Sequence, residues 1–293
     1  MKCLILGGTG YLGSALVKKM LKQGCEVICL IRSQSSLCNL NDVKDQIKLW
    51  DIETLSVEQM KAEGITVVYN LACCYQNGRT KEIDIVDANY RVPAKLLFNC
   101  IKAEIPKMIT IGTGLPNDFN LYAITKYQFS QLGKYYVQEQ QRTGKEFKFC
   151  NVELERFYGE DEPKERFLPA MIWRLLQNED LLLTEGNQKR DFVYIDDVVN
   201  ILYALGEKVI PDYVNLPLGS GQGPTIRNVI EYLHAITASH SKLCFGAVEK
   251  RFHEPDSIAD LSTLHDLGLE VNYDWKKGME KVVSHYKKIV IEG

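Results

Sequence analysis

Residues Leu4–Gly13 read Leu-Ile-Leu-Gly-Gly-Thr-Gly-Tyr-Leu-Gly, an apolar run followed by closely spaced glycines. The apolar residues before the glycines predict a buried strand, and the apolar spacing of Tyr11–Lys22 predicts a helix. Gly7, Gly10 and Gly13 allow a tight turn and a close approach of phosphate to the backbone, while the start of the helix offers free N–H groups. The stretch therefore predicts a strand–turn–helix unit that binds the pyrophosphate of a dinucleotide. The residues predicted to form this cofactor-binding loop are Gly7, Thr9, Gly10, Tyr11, Leu12 and Gly13.

Outward from this loop, strand and helix patterns alternate through the first half of the chain. The predicted strands are Cys3–Leu6, Val27–Ile31, Ile47–Trp50, Thr66–Leu71, Lys107–Ile111 and Phe147–Val152. The predicted helices are Tyr11–Lys22, which Gly24 closes as a left-handed cap, Asp87–Ala103 and Tyr122–Arg142. Pro93 requires the second of these helices either to begin near Tyr90 or to kink. The alternation predicts an α/β protein with a Rossmann-type, doubly wound parallel sheet.

After about residue 153 the alternation of strand and helix patterns becomes less regular, and glycine, proline and charged residues cluster between shorter patterns. Helical patterns remain at Phe167–Leu176, Asp196–Leu205 and Thr225–Thr237. We therefore expect a dinucleotide-binding domain over residues 1–153, to which later segments return, and a smaller C-terminal substrate-binding lobe over 154–293.

Composition excludes several classes of function. The 293 residues carry 35 Lys+Arg against 38 Asp+Glu, so the charge balance argues against nucleic acid as a partner. No apolar run approaches the roughly 18 residues of a membrane span, and the N-terminal apolar stretch is too short for a signal peptide, so we expect a cytoplasmic protein. Nine cysteines without a C-x-x-C pattern, and five histidines without ligand spacing, predict reduced thiols and no metal site. Cys73 and Cys74 are the pair nearest the expected cofactor site.

The end of the second strand bears on the choice of dinucleotide. An acidic residue there would bind the ribose 2′-hydroxyl and repel a 2′-phosphate, but Ile31 stands at this position and Arg32 follows it. Because a guanidinium suits a phosphate dianion, NADP(H) is favoured and NAD(H) remains possible. Asp51 and Ile52, after the third strand, are expected to bracket the adenine. Leu71 and Ala72 end the fourth strand, where small residues leave room for the cofactor.

Tyr122 and Lys126 place a phenol and an ammonium one helical turn apart. A nearby positive charge lets a tyrosine exchange a proton with a hydroxyl or carbonyl. The same spacing recurs at Tyr273 and Lys277, which we interpret as surface residues because only the first pair follows the fifth strand, at the sheet edge where ligands bind. A hydroxyl at the end of that strand would help to hold the substrate oxygen. Thr113 is preferred for this role, and Thr110 is the alternative.

Taken together, these residues resemble the extended short-chain dehydrogenase/reductase family, in its nucleotide-sugar epimerase/dehydratase group. The resemblance covers nearly the whole chain. Beyond the glycine loop and Tyr122…Lys126, it rests on Asn89, Tyr158-Gly159, Arg190-Asp191-Phe192-Val193-Tyr194-Ile195-Asp196-Asp197, Asn215, Arg251 and the ending Leu267-Gly268…Lys277-Gly278. Within the family, the chain looks most like enzymes that reduce the 4-keto group of a CDP-linked deoxyhexose.

The resemblance implies roles for particular residues. Thr113, Tyr122 and Lys126 would be the catalytic set, and Tyr122 and Lys126 would also contact the cofactor. In the implied substrate-binding set, Arg190 and Arg251 would contact the diphosphate, and Phe167 and Leu168 would line the nucleotide pocket. Asn89 is grouped with this set, but it is expected to order the loop near the catalytic helix rather than to touch the substrate. The family also commonly forms homodimers through the helices at 87–103 and 122–142. Apolar residues there fit either a dimer or core packing: Leu97, Ile101, Phe129, Leu132 and Tyr136.

Two departures from the family pattern reduce the number of reactions that we expect the chain to catalyse. Dehydratases of the family carry an Asp-Glu pair just after the catalytic threonine, where this chain has Gly114-Leu115. The epimerases usually hold NAD through the acidic ribose contact that Ile31 replaces. We therefore expect an NADPH-dependent ketoreductase acting on a nucleoside-diphosphate deoxyhexose. A 4-epimerase using the same residues is the alternative, and a non-catalytic cofactor-sensing protein on the same fold is the alternative of another class.

Overall fold

The computed structural model describes residues 1–76, 80–249 and 255–292. The strands are β1 (Lys2–Leu6), β2 (Glu26–Ile31), β3 (Lys48–Asp51), β4 (Val67–Asn70), β5 (Lys107–Ile111), β6 (Lys148–Leu154), β7 (Arg156–Tyr158), β8 (Leu181–Leu183), β9 (Phe192–Tyr194), β10 (Tyr213–Leu218) and β11 (Leu243–Phe245). The helices are α1 (Tyr11–Lys22), α2 (Val57–Glu63), α3 (Glu82–Val86), α4 (Val92–Lys102), α5 (Leu121–Arg142), α6 (Phe167–Leu176), α7 (Ile195–Glu207), α8 (Ile226–Thr237), α9 (Ser262–Asp266) and α10 (Trp275–Glu292).

Seven strands of the described chain form one sheet in the order β10-β6-β5-β4-β1-β2-β3. The pairs β1–β2, β1–β4, β2–β3, β4–β5 and β5–β6 are all parallel. The predicted doubly wound parallel sheet is therefore confirmed. The strand order reverses beside β1, and ligands of such sheets bind at that reversal, outside the carboxyl ends of the strands.

The chain divides into two compact units. The first comprises Met1–Leu154 and Val199–Leu216, and the second comprises Glu155–Val198 and Pro217–Gly293. In the second unit, β7 pairs with β9 and β8 pairs with β11, each in parallel. Within the parts of the chain that are described, no helix is both long enough and apolar enough to cross a membrane.

The central strands β1, β4 and β5 are buried along nearly their whole length, as expected for a sheet covered on both faces. Their side chains form the core with residues of the covering helices. Leu97 and Phe129 lie in this core, while Ile101, Leu132 and Tyr136 pack against it. The sequence allowed either a dimer interface or core packing for these five residues, and in the structure all five contribute to core packing.

A π-helical turn at Asp87–Arg91 explains how this helical region accommodates Pro93. Helix α3 leads into this turn, and α4 then begins with the proline in its first turn. Proline is tolerated there because the first N–H groups of a helix have no partner within it. The helical region predicted as Asp87–Ala103 thus starts earlier than expected, and it changes from an α-helix to a π-helical turn before the proline.

The Lys107 ammonium group stabilises the end of α7. Its Nζ donates hydrogen bonds to the carbonyl oxygens of Leu205, Gly206 and Lys208, at 3.0, 2.7 and 2.7 Å. A cation at this position satisfies carbonyls that have no partner within the helix and interacts favourably with the helix dipole.

We expect Lys107→Met to lower the free energy of unfolding by about 2 kcal/mol, because it removes hydrogen bonds from a charged donor while keeping the aliphatic stem. Urea unfolding followed by circular dichroism measures the change. Lys102→Met, which removes an exposed lysine in the last turn of α4, is the matched control. Equal unfolding midpoints for the two variants would contradict the capping role.

Candidate active site

The glycine loop connects β1 to α1 at the carboxyl edge of the sheet. Gly7 has φ of +85°, a left-handed conformation that side chains disfavour, and a Cβ there would lie 2.8 Å from the Leu71 carbonyl carbon and the Ala72 nitrogen. A Cβ on Gly13 would collide with the Gly7 carbonyl oxygen. Helix α1 therefore starts directly against the turn, with its first N–H groups beside the loop. This cradle fits a dinucleotide pyrophosphate.

Asn39 also contacts the loop, which the sequence did not indicate. Its Nδ2 donates a hydrogen bond to the Thr9 carbonyl oxygen at 3.0 Å. Asn39 lies in a short 3₁₀ helix, Cys38–Leu40, within an irregular connection after β2. No periodic pattern marks that connection, so a single asparagine there carries no recognisable signal.

Arg32 lies at the same edge of the sheet, directly after β2. The register of the β1–β2 pair places Leu30 beside Leu6, so the end of β2 adjoins the glycine loop. The Arg32 backbone N–H donates to the Ser35 hydroxyl at 3.0 Å, and its exposed side chain makes no ion pair or side-chain hydrogen bond with any residue that the structure describes. The guanidinium is therefore available to an anionic ligand.

The other predicted cofactor residues lie at the ends of the neighbouring strands. Asp51 is paired with Ile31, and its Oδ1 accepts a hydrogen bond from the Glu53 N–H at 2.9 Å. Ile52 and Leu71 are buried, whereas Ala72 is half-buried, with its N–H donating to the Asn70 side chain at 3.3 Å. The sheet thus brings these residues to one edge with the glycine loop.

Tyr122 and Lys126 lie in the first turns of α5, which Asn120 caps by accepting a hydrogen bond from the Ala123 N–H at 2.9 Å. The Lys126 Nζ donates to the carbonyl oxygens of Ala72 and Ile111, at 2.7 and 2.8 Å, and these residues follow β4 and end β5. Both carbonyls orient the ammonium group at the carboxyl edge of the sheet.

Thr113 is the threonine that acts on the Tyr122 phenol, because its side chain opposes the rise in the pKa of Tyr122. The alternative, Thr110, is buried inside the sheet, where its hydroxyl accepts a hydrogen bond from the Asn70 amide at 2.9 Å. The structure therefore brings Thr113, Tyr122 and Lys126 together, one from the end of β5 and two from α5.

Burial determines the protonation of this group of residues. It raises the pKa of the Tyr122 phenol well above its usual range, with Cys73 and Tyr75 adding to the rise and the Thr113 side chain opposing it. Burial also lowers the pKa of Lys126 from its usual value, because it penalises the charged amine. Tyr122 thus keeps its proton at neutral pH, which suits a residue that gives a proton to a developing alkoxide.

Asn89 lies in the π-helical turn and is fully buried. Its Oδ1 accepts a hydrogen bond from the Cys74 N–H and its Nδ2 donates to the Cys74 carbonyl, both at 2.9 Å. Both polar atoms of the amide are thus engaged by the loop after β4. These hydrogen bonds fit the role that the sequence favoured for Asn89, which is to order this loop and not to contact the substrate directly.

In the second unit, the segment Arg190–Asp197 is tied to neighbouring loops. Arg190 is only 2% exposed, and its Nη1 donates to the carbonyl oxygens of Lys189 and Pro255. The Asp191 carboxylate accepts hydrogen bonds from the backbone N–H groups of Ser220, Gly221 and Ala259 and from the Ser220 hydroxyl. The sequence pattern marks this segment, but it does not indicate that Asp191 joins the loop at Ser220 to the loop at Ala259.

Asp197 has a similar role at the start of α7, where it accepts hydrogen bonds from the N–H groups of Asn272 and Tyr273 at 3.0 and 2.9 Å. Of the other residues predicted to bind substrate, Phe167 begins α6 half-buried and Leu168 is buried. Arg251 lies outside the described residues, so its predicted contact with the diphosphate stays a prediction.

A model of the NAD dependent epimerase/dehydratase family matches residues 3–216. The match includes the glycine loop, Thr113, Tyr122, Lys126 and the segment around Arg190. The chain belongs to the NAD dependent epimerase/dehydratase family. This confirms the resemblance drawn from the sequence and the expectation of a nicotinamide-dependent enzyme.

The chain is also similar, in sequence or in structure, to individual proteins of known name. CDP-abequose synthase from Salmonella typhimurium is 30% identical over 298 aligned residues, which cover 96% of each chain. The structure of UDP-glucose 4-epimerase from Thermotoga maritima, with UDP-glucose, has a TM-score of 0.83 at 22% identity over 99% of this chain and 100% of that one. UDP-glucuronic acid 4-epimerase from Bacillus cereus, in complex with UDP-glucuronic acid and NAD, has a TM-score of 0.83 at 21% identity with the same coverage.

This member of the epimerase/dehydratase family has no carboxylate directly after Thr113, the threonine predicted to be catalytic. Gly114 and Leu115 follow Thr113, and the Leu115 N–H donates to the Thr113 hydroxyl at 3.2 Å. The segment therefore folds back on the threonine and presents an apolar side chain. An acid–base pair for removing water is missing from these two positions.

Proposed function

We propose that the protein is an NADPH-dependent reductase of the 4-keto group of a nucleoside-diphosphate deoxyhexose. The observation that carries the proposal is the assembled set of Thr113, Tyr122 and Lys126 without a carboxylate at residues 114 and 115. The similarity to CDP-abequose synthase over nearly the whole chain supports the same class of reaction. On this proposal, the first unit binds the cofactor and the second binds the nucleotide sugar.

The cofactor would be held by the glycine loop, with Arg32 on a 2′-phosphate and Lys126 beside the catalytic phenol. When bound, the nicotinamide supplies the hydride. Thr113 and Tyr122 then hold the substrate oxygen, and Tyr122 gives its proton to that oxygen as negative charge develops. Lys126 compensates for the charge left on the phenolate, and Arg190 and Arg251 would serve the diphosphate.

The reaction is tested by mixing the protein with NADPH and a CDP-linked 4-keto-deoxyhexose while the absorbance of NADPH is followed. We expect stoichiometric oxidation of NADPH and a product that carries a hydroxyl at C4. A 4-epimerase would instead interconvert UDP-glucose and UDP-galactose without consuming NADPH, and that result would overturn the proposal in favour of the alternative. Binding of NADPH with neither reaction would favour a cofactor-sensing protein.

The preference for NADPH is expected to depend on Arg32. We expect Arg32→Ala to weaken NADPH binding about tenfold and to leave NADH binding within twofold, because only the 2′-phosphate would lose a charge-assisted hydrogen bond. Fluorescence titration of both cofactors measures the two dissociation constants. Arg142→Ala, which removes an exposed arginine from the last turn of α5, is the matched control. An equal loss for NADPH and NADH would count against this role of Arg32.

We also propose that the enzyme forms a homodimer through α4 and α5. Although the apolar residues named from the sequence serve the core, Phe98, Tyr127 and Tyr135 on these helices remain exposed. Burying large aromatic side chains against a second copy removes apolar surface from water. Sedimentation equilibrium gives the mass of the particle in solution, and a monomer at micromolar concentration would argue against the dimer.

A further inference from the structure

The neighbouring strands β4 and β5 part at the carboxyl edge of the sheet. Their pairing ends at Asn70 and Thr110, which are register partners. Beyond this level each chain follows its other neighbour, because the Leu71 N–H donates to a carbonyl of β1 at 2.8 Å and the Gly112 N–H donates to a carbonyl of β6 at 2.7 Å. Backbone hydrogen bonds between the two strands therefore do not fix the distance between their ends.

The ammonium group of Lys126 lies where the two strands part. Its Nζ donates to the carbonyl oxygen of Ala72, after β4, at 2.7 Å and to that of Ile111, at the end of β5, at 2.8 Å. An ammonium group has three N–H donors, so a third can serve the cofactor or the Tyr122 phenol. The spacing of the two carbonyl oxygens therefore determines where this third donor points.

The side chain of Asn70 ties the two chains together at this point. Its Nδ2 donates to the Thr110 hydroxyl in β5 at 2.9 Å, and its Oδ1 accepts a hydrogen bond from the Ala72 N–H at 3.3 Å. Asn70 is fully buried and Thr110 is nearly so, which means that water does not readily replace either bond. One amide thus connects the residue that offers one carbonyl to the strand that offers the other.

We propose that Asn70 is a positioning residue, which holds the carbonyl oxygens of Ala72 and Ile111 at the spacing that the Lys126 ammonium group requires. Asn70 acts through Lys126, so the catalytic consequence of this inference rests on the proposed function, in which the ammonium group compensates the charge on the phenolate. Without the tie, the two chains separate and the ammonium group loses a carbonyl partner while it stays buried.

The charge of Lys126 makes this role measurable. Burial lowers the pKa of Lys126, and Cys73 opposes the shift. Hydrogen bonds to carbonyl oxygens favour the charged amine, so a buried ammonium group that loses one of them has a still lower pKa. Because the phenolate left on Tyr122 needs the positive charge, kcat should then decline at a lower pH than in the wild type.

The kinetic test uses Thr110→Val and Asn70→Leu, which break the tie and keep side chains of similar size. We expect each to lower kcat for ketone reduction about tenfold, to keep KM within about twofold and to move the alkaline limb of the kcat profile lower by about 1 on the pH scale, the effect of one hydrogen bond to a charged group. The double variant should lose no more than Asn70→Leu alone, because both changes remove the same bond. Thr110→Ser keeps the hydroxyl and is expected to show the wild-type profile.

Ser130→Ala is the matched control. It removes another buried hydroxyl, one helical turn after Lys126 in α5, whose hydrogen bond goes to the Tyr213 hydroxyl at 2.8 Å. We expect the wild-type pH profile from this variant. A lower kcat with an unchanged alkaline limb in both Thr110→Val and Asn70→Leu would mean that the tie stabilises the sheet without positioning Lys126, and would overturn the inference.

A second measurement separates this inference from the proposed function, because it needs no substrate. In protein labelled with ¹³C-lysine, NMR follows the titration of the Lys126 signal, which is identified by its loss in Lys126→Met. We expect a lower midpoint in Asn70→Leu than in the wild type. An unchanged midpoint would overturn the inference whether or not a ketone is reduced. A lowered midpoint in a protein that reduces no ketone would support the positioning of Lys126 and overturn the proposed function.

Discussion

Tyr122→Phe is expected to lower kcat for ketone reduction by about 10²- to 10⁴-fold, the usual contribution of a positioned acid or base. The substitution removes only the phenol oxygen, so the ring keeps its contact with Tyr75 and its place in α5. Without that oxygen, the site loses the proton donor that we propose for the developing alkoxide. Because Lys126 stays bonded to Ala72 and Ile111, NADPH binding is expected to change less than threefold.

Steady-state kinetics and a fluorescence titration of NADPH separate these two effects. Tyr273→Phe is a matched control, because Tyr273 belongs to the other Tyr-x-x-x-Lys pair, and its hydroxyl accepts a hydrogen bond from Lys281 in the second unit. We expect this variant to keep wild-type turnover. If Tyr122→Phe retained more than about a tenth of the activity, Tyr122 would not be the proton donor.

The two Tyr-x-x-x-Lys pairs also show how far a motif can be interpreted from sequence. Spacing alone does not distinguish them, and it was the position after β5 that favoured Tyr122. The structure supports that choice, because Lys126 is buried with both its described partners at the sheet edge, whereas Lys277 is exposed beside Asp274. Local pattern and element order were therefore sufficient to predict which residues the regular strands and helices bring to this edge of the sheet.

Features that depend on long-range contacts could not be predicted in this way. Strand β10 was missed because it contains Pro217 and joins the sheet beside β6, far from it in sequence. Pro93 signalled a disturbance, but it left open whether the helix starts or kinks, and the structure has a π-helical turn instead. The position of the loop that carries Cys73 depends on hydrogen bonds from Asn89 and Lys126, and the loop has no periodicity, so only the neighbourhood of Cys73 was anticipated.

The second large effect is expected at the glycine loop. Gly13→Ala should lower the free energy of unfolding by about 3 kcal/mol, at the upper end for an overpacked site, and should weaken NADPH binding at least about a hundredfold. The added Cβ would collide with the Gly7 carbonyl oxygen and lie 2.8 Å from the Gly7 carbonyl carbon and the Gly8 Cα. These are backbone atoms of the turn itself, so no side-chain rotation relieves the overlap. Helix α1 would have to move away from the turn that presents its N–H groups to the pyrophosphate.

Gly10→Ala is the matched comparison, because it adds the same methyl group to the same loop. Gly10 has φ of −76° and ψ of 175°, which alanine adopts freely, and a Cβ there would lie 3.4 Å from the Gly7 carbonyl oxygen, an ordinary contact. We expect this variant to lose about 1 kcal/mol or less, the usual cost of alanine at a helix N-cap. Urea unfolding of both variants isolates the cost of the close helix–turn approach from the general cost of replacing a glycine. Equal losses would mean that the tight packing of Gly13 on Gly7 does not set the geometry of the cofactor site.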